Sequence, residues 1–126
     1  MIEEKILVSK LNKTWILDLD GTICKHNGYK METGDYLLQG AKEFLNSIDK
    51  DDMVIFITSR TVEYKEQTEQ FLRKNQIKYD YIIYYAPYGE RILINDKKDS
   101  GLVTAIAINT ERDKFMKEKF EVDNNL

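Results

Sequence analysis

Along the chain, short apolar runs alternate with longer mixed stretches whose apolar positions recur at helical spacing. Thr14 to Leu19, Met53 to Ile57, Tyr81 to Tyr85, Ile92 to Ile94 and Val103 to Ile108 are rich in β-branched and aromatic residues. Their nearly continuous apolar character predicts five strands covered on both faces. Between the first two, Leu38, Ala41, Phe44, Leu45 and Ile48 share one face and predict a helix over Leu38 to Ile48. Thr61 to Gln76 opens on a capping residue and carries Tyr64, Thr68, Phe71 and Leu72 on one side; Glu111 to Phe120 reads as a charged amphipathic helix. The run Ile6 to Val8, within residues 1–12, predicts an edge strand or ribbon, and residues 121–126 read as a frayed tail. The alternation is that of an α/β protein. It predicts a three-layer, Rossmann-like fold around a mainly parallel five-stranded core sheet.

The length of 126 residues suits one domain, 1–126, with a sizeable core. Charged residues make up 33% of the chain and apolar ones 42%, which excludes disordered and low-complexity classes. With 19 basic against 22 acidic residues the net charge is -3, so bulk electrostatics do not recommend nucleic acid as a partner. The lone Cys24 offers neither an internal disulfide nor a cysteine zinc cluster, and it fits a reducing cytoplasm. The opening Met-Ile-Glu-Glu-Lys has no signal-peptide pattern, and runs such as Met53 to Ile57 are far too short to span a membrane.

The chemistry is concentrated at the ends of the predicted strands. Trp15-Ile16-Leu17-Asp18-Leu19-Asp20-Gly21-Thr22 runs an apolar strand into two carboxylates one residue apart, followed by a glycine that permits a tight turn. In open α/β sheets ligands bind at the carboxyl ends of strands, although a strand end with solvated acids would look similar. Val54 to Ile57 leads into Thr58-Ser59-Arg60. Hydroxyls, backbone N–H groups and a forked cation suit an anion such as phosphate, while the same residues also serve to cap the following helix. Ile92-Leu93-Ile94 leads into Asn95-Asp96. Oxygen ligands of this kind suit Mg²⁺.

Together Asp-Leu-Asp-Gly-Thr, Ile-Thr-Ser-Arg and Ile-Asn-Asp resemble the motifs of the haloacid dehalogenase superfamily, over roughly positions 14 to 109. The resemblance implies a Mg²⁺-dependent phosphatase in which Asp18 is the nucleophile and Asp20 the general acid and base. It implies phosphate binding by Thr58 and Ser59, and Mg²⁺ binding by Asp18, Asp20 through its main-chain carbonyl, and Asp96. The chain departs from the family pattern in two places. Asn95 precedes Asp96 where two acids or Gly-Asp are common, with Asp99 an outer partner of the metal. Ala86-Pro87 stands where related enzymes show Lys-Pro, which leaves Arg91 as the expected phosphate-binding cation, with Lys97 and Lys98 as fallbacks.

Only 35 residues separate Thr22 from Thr58 and 37 separate Thr58 from Asp96, so no cap domain fits. Residues 24–39, with His26, Gly28 and Gly34, are long enough for a mobile flap. Capless members of the superfamily accept bulky phosphoesters or borrow a lid from another subunit, which makes a homo-oligomer one expectation. The expected substrate is a small phosphorylated metabolite, such as a sugar phosphate. The alternatives are a catalytically weak phosphate-binding or regulatory module of the same fold, and a receiver-like phosphoacceptor. The later strand end of this chain carries Thr58-Ser59 rather than an acceptor acid, which disfavours the last. Among the aromatic tract, Tyr85 and Tyr88 are candidates for stacking on a sugar ring.

Overall fold

The computed structural model describes residues 4–126, so Met1 to Glu3 of the expected edge segment lie outside the described residues. The chain forms two compact units. The larger comprises Asn12–Tyr88 and Thr110–Phe115, and the smaller comprises the described residues up to Leu11, Gly89–Asn109 and Met116–Leu126.

In the larger unit, three strands pair in parallel in the order β2-β3-β4: β2 is Thr14–Asp18, β3 Met53–Ile57 and β4 Tyr81–Ile83. The register sets Asp18 opposite Ile57, and Ile57 opposite Ile83. Helix α1 (Ala41–Ser47) connects β2 to β3. Helix α2 (Lys65–Lys74) connects β3 to β4, preceded by a 3-10 turn over Val62–Tyr64. Parallel neighbours require such crossovers. Leu19, Ile23, Ala41, Leu45, Val54, Phe56, Leu72 and Ile77 form the buried core, flanked by Trp15, Leu17, Phe44 and Ile82. The far end of α2 is closed by Gln76 at φ 60, with the amide of Ile77 donating to the Leu72 carbonyl and that of Gln76 to Arg73. This is a Schellman cap whose apolar contact, Leu72 with Ile77, belongs to the core.

Alternation along these strands leaves one sheet face apolar but open. Val54 and Phe56 are buried, whereas Ile16, Tyr81 and Ile83 are exposed. Within the larger unit, the helices pack on one face of this sheet. That differs from the expected three-layer, five-stranded arrangement, because two expected strands and the expected third helix do not form. Ile92 to Ile94 and Val103 to Ile108 are not strands: Ile92 is 81% and Ile94 90% exposed. Their β propensity has no ladder partner to act on. Instead Lys98 and Leu102 are joined across a turn with Gly101 at φ +95. Glu111 to Phe120 is not a helix either. Asp113 takes φ 65, and the segment ends in strand β5 (Lys119–Val122). That strand pairs in parallel with β1 (Lys5–Val8), so the chain end predicted to fray is ordered through Val122 in the smaller unit. The five strands are therefore divided into a three-stranded and a two-stranded sheet.

The two edges of the larger sheet have different chemistry. At the start of β2 and β3, Asp52 accepts hydrogen bonds from the Asn12 amide (2.8 Å), the Lys13 backbone N–H (2.9 Å) and the Trp15 indole (2.9 Å). Burial pushes this carboxyl up, but the three donors outweigh burial and hold its pKa below the ordinary value. A depressed carboxylate stabilises the fold above its unfolded pKa, and that contribution is lost as pH falls through the folded pKa. Asp52→Ala is therefore expected to cost about 1–2 kcal/mol at pH 7, allowing for solvent screening. The gap from the parent should shrink toward about pH 2–3, below the ordinary carboxylate range. Urea unfolding of both proteins at the two pH values checks this, and a pH-independent gap contradicts it.

Candidate active site

The opposite edge gathers the residues that carry chemistry. Strand β2 ends at Asp18, and Gly21, at φ +82, turns the chain back so that its amide donates to the Cys24 carbonyl at 2.7 Å. The strand does not continue to Asp20, so the turn rather than strand alternation places the second acid. The Thr22 hydroxyl donates to Asp18 Oδ2 at 3.0 Å, joining the first and last residues of this loop.

Thr58 follows β3 and is fully buried. Its backbone amide donates to the Ile83 carbonyl (2.9 Å), and its hydroxyl donates to Asp20 Oδ2 at 3.4 Å while accepting from the Arg60 amide at 3.1 Å. The neighbouring Ser59 is half-buried.

Arg60 is the centre of the arrangement, and its side chain is only 1% exposed. Its Nε and one terminal nitrogen donate to the two oxygens of Asp20 at 3.1 and 3.0 Å. Both terminal nitrogens donate to Asp35, at 3.0 and 2.7 Å, and one also reaches Thr68 Oγ1 at 2.8 Å. The face of the guanidinium lies 4.1 Å from the Tyr29 ring centroid. Burial disfavours a cation, but the bonds to Asp20 and Asp35 outweigh it and hold the pKa of Arg60 above the ordinary value. A planar fork suits two carboxylates at once in a way an ammonium cannot. The sequence marks Thr-Ser-Arg as an anion site; the anions bound by Arg60 are the chain's own. Asp35 carries no sequence signal of its role, because it lies in a loop without periodicity and meets Arg60 across 25 positions.

Asp20, Cys24 and Asp35 bring three candidate metal-ligand atoms within 4.8 Å of one another. That group could hold a metal ion, but its two carboxylates are already matched by Arg60, and burial keeps Cys24 a protonated thiol. Asp96, Arg91, Lys97 and Lys98 belong to the smaller unit and are exposed there. In that unit the Asn95 amide donates to Thr104 Oγ1 at 2.7 Å. The larger unit thus links Asp20, Thr58 and Asp35 through Arg60, with Asp18 at the end of β2 and Ser59 half-buried beside Thr58.

The loop expected to be a mobile flap is fastened at several points. Arg60 holds Asp35 and faces Tyr29, the Gln67 amide donates to the Tyr29 carbonyl, and Tyr29 packs edge-on against Tyr64. Asp113 accepts from Lys25 Nζ at 2.6 Å and from the His26 amide at 2.7 Å. The hydrogen bond from Lys25 holds the Asp113 carboxyl below its ordinary range.

No family model matches the chain, and no curated protein matches it. A chain of the Pnkp1/Rnl/Hen1 RNA repair complex is similar in structure, with a TM-score of 0.51 and 33% sequence identity over 68% of the present chain. The match spans 30% of that longer chain, so the likeness extends to a part of it.

Proposed function

We propose that this chain is a phosphatase that hydrolyses a phosphomonoester through an aspartyl-phosphate intermediate. The observation that carries the reading is the Asp18-Asp20-Thr58 grouping at the carboxyl edge of a parallel sheet, with the Asp20 carboxylate fixed on both oxygens by Arg60. In the first step an Asp18 oxygen attacks phosphorus and the ester P–O bond breaks. Asp20 is the group assigned to protonate the leaving oxygen, and to do so it first exchanges one of its Arg60 hydrogen bonds for a proton. In the second step water attacks the same phosphorus and gives its proton to the Asp20 carboxylate. The Asp18 carboxylate is thereby released together with inorganic phosphate. Arg60 is a positioning residue in this scheme, aiming Asp20 without touching the substrate. The long bond from Thr58 to Asp20 yields to a phosphoryl oxygen at small cost.

Mg²⁺ would be held in the larger unit by the oxygen donors of Asp18 and the Asp20 main chain. When bound, it supplies positive charge that offsets a phosphate dianion. The small phosphorylated metabolite, for example a sugar phosphate, remains one substrate class. The likeness to a chain of an RNA repair complex favours a second, a phosphorylated RNA end. A catalytically weak phosphate-binding module of the same fold is the competing reading.

The deciding assay is phosphate release from sugar phosphates, nucleotides, an aryl phosphate and RNA oligonucleotides phosphorylated at either end, with Mg²⁺ or with EDTA. The expected result is release that EDTA suppresses by about 100-fold or more, the scale of losing a metal's charge stabilisation. Folded, Mg²⁺-supplied protein that releases no phosphate from any member of the panel would leave the binding-module reading in its place.

A further inference from the structure

Against Gly21, which follows Asp20, the larger unit packs the stem of a cationic residue that neither the strand pattern nor the motifs single out. Gly21 lies against Arg112: a Cβ at position 21 would stand 3.2 Å from Arg112 Cγ and 3.7 Å from His26 Cβ. The stem of Arg112 therefore lies over the backbone of the loop that carries Asp18 and Asp20, in space that only a glycine leaves open. Its neighbour Asp113 sets this position. The Asp113 amide donates to the Gly21 carbonyl at 2.8 Å, while its carboxylate holds Lys25 and the His26 amide. With φ 65, Asp113 bends the chain sharply immediately after Arg112.

Charge gives this cation a task. Asp18, Asp20 and Asp35 present three formal negative charges, and Arg60 supplies one positive charge that Asp20 and Asp35 share. Lys25 is matched by Asp113. A phosphate dianion arriving at Asp18 adds to a net negative surrounding, and the guanidinium at the end of a stem anchored over Gly21 would oppose that repulsion with forked donors suited to phosphate. Arg60 cannot take this part, because its donors are directed to Asp20, Asp35 and Thr68.

We propose that Arg112 contacts the phosphoryl group of the substrate, held over Gly21 by the Asp113 latch. This assignment rests on the phosphatase reading and deepens it. It gives the role of the phosphate-binding cation, expected from sequence at Arg91, to a residue of the same unit as Asp18.

The test uses inorganic phosphate as the probe, in Mg²⁺, with binding measured by calorimetry on the full chain and its Arg112→Met and Arg112→Lys variants. Methionine keeps an unbranched stem over Gly21 and removes the charge; lysine restores the charge without the fork. Arg112→Met is expected to weaken phosphate binding about tenfold or more, the scale of a charge-assisted hydrogen bond, with an unchanged melting temperature. Arg112→Lys should recover part of the loss. Equal phosphate affinity in the parent and Arg112→Met would overturn the role of Arg112 while leaving the phosphatase reading intact. Absence of phosphate binding by the parent, together with no phosphate release in the substrate assay, would overturn both.

Discussion

Asp18→Asn is expected to lower the rate of phosphate release by about 10⁴-fold or more, the scale seen when a covalent nucleophile is removed. The amide is nearly the same size as the carboxylate and can still accept a hydrogen bond from Thr22, which donates to Asp18 at 3.0 Å. The fold should therefore survive, and the loss should appear in the chemical step. A carboxamide oxygen is a far weaker nucleophile than a carboxylate and cannot form the same acyl-phosphate without expelling its amine. The check is single-turnover phosphate release on the best substrate, with unfolding midpoints measured in parallel. If Asp18→Asn retained activity within about tenfold of the parent, the covalent route through Asp18 would be wrong.

Arg60→Met is expected to cost about 3–5 kcal/mol of stability, because it leaves Asp20 and Asp35 without the cation that matches them. Both acids are poorly accessible: the side chain of Asp35 is 3% exposed and that of Asp20 16%. Methionine fills much of the arginine volume, so the loss reports unpaired charge rather than an empty cavity. Adding Asp35→Asn to this background should return part of the stability, since it removes one of the stranded charges. In the parent, Asp35→Asn alone should destabilise. That reversal of sign is the mark of a coupled buried pair. Urea unfolding of the four proteins measures it. A single Arg60→Met variant within about 1 kcal/mol of the parent would show that the Arg60 clamp contributes little, as exposed ion pairs do.

The elements legible in the sequence are those whose burial is local. Strands β2 and β3 follow from their apolar runs, and α1 and α2 follow from one-sided spacing because each packs directly on those strands. Tyr81 to Tyr85 shortens to Tyr81–Ile83, where Tyr85 adopts φ 63 and leaves the ladder. The later apolar runs show the limit of pattern reading. Ile92 to Ile94 has strand-like composition, but composition supplies no pairing partner. Around the candidate site, Asp18, Asp20 and Thr58 could be read because each lies at or just beyond a strand end. Arg60 was visible as an anion binder, but Asp35 was not visible as its anion. Arg112 and Asp113 were hidden for another reason: alternating charges over Glu111 to Phe120 imitate an amphipathic helix, while the backbone makes a left-handed bend at Asp113.

The fastening of residues 24–39 also fixes when that loop gives up its conformational freedom. Tyr29 and Asp35 are gathered by Arg60, and Lys25 and His26 by Asp113, so the freedom is surrendered as the chain folds. A ligand that arrives later meets a prearranged rim and need not organise it, which removes one entropic penalty of association. Within the loop, the stretch around Gly34 has open space about it. That residue has φ +72, and a side chain there would meet nothing within 4 Å. The rim beside the Asp18–Asp20 loop is thus set during folding, before any ligand is met.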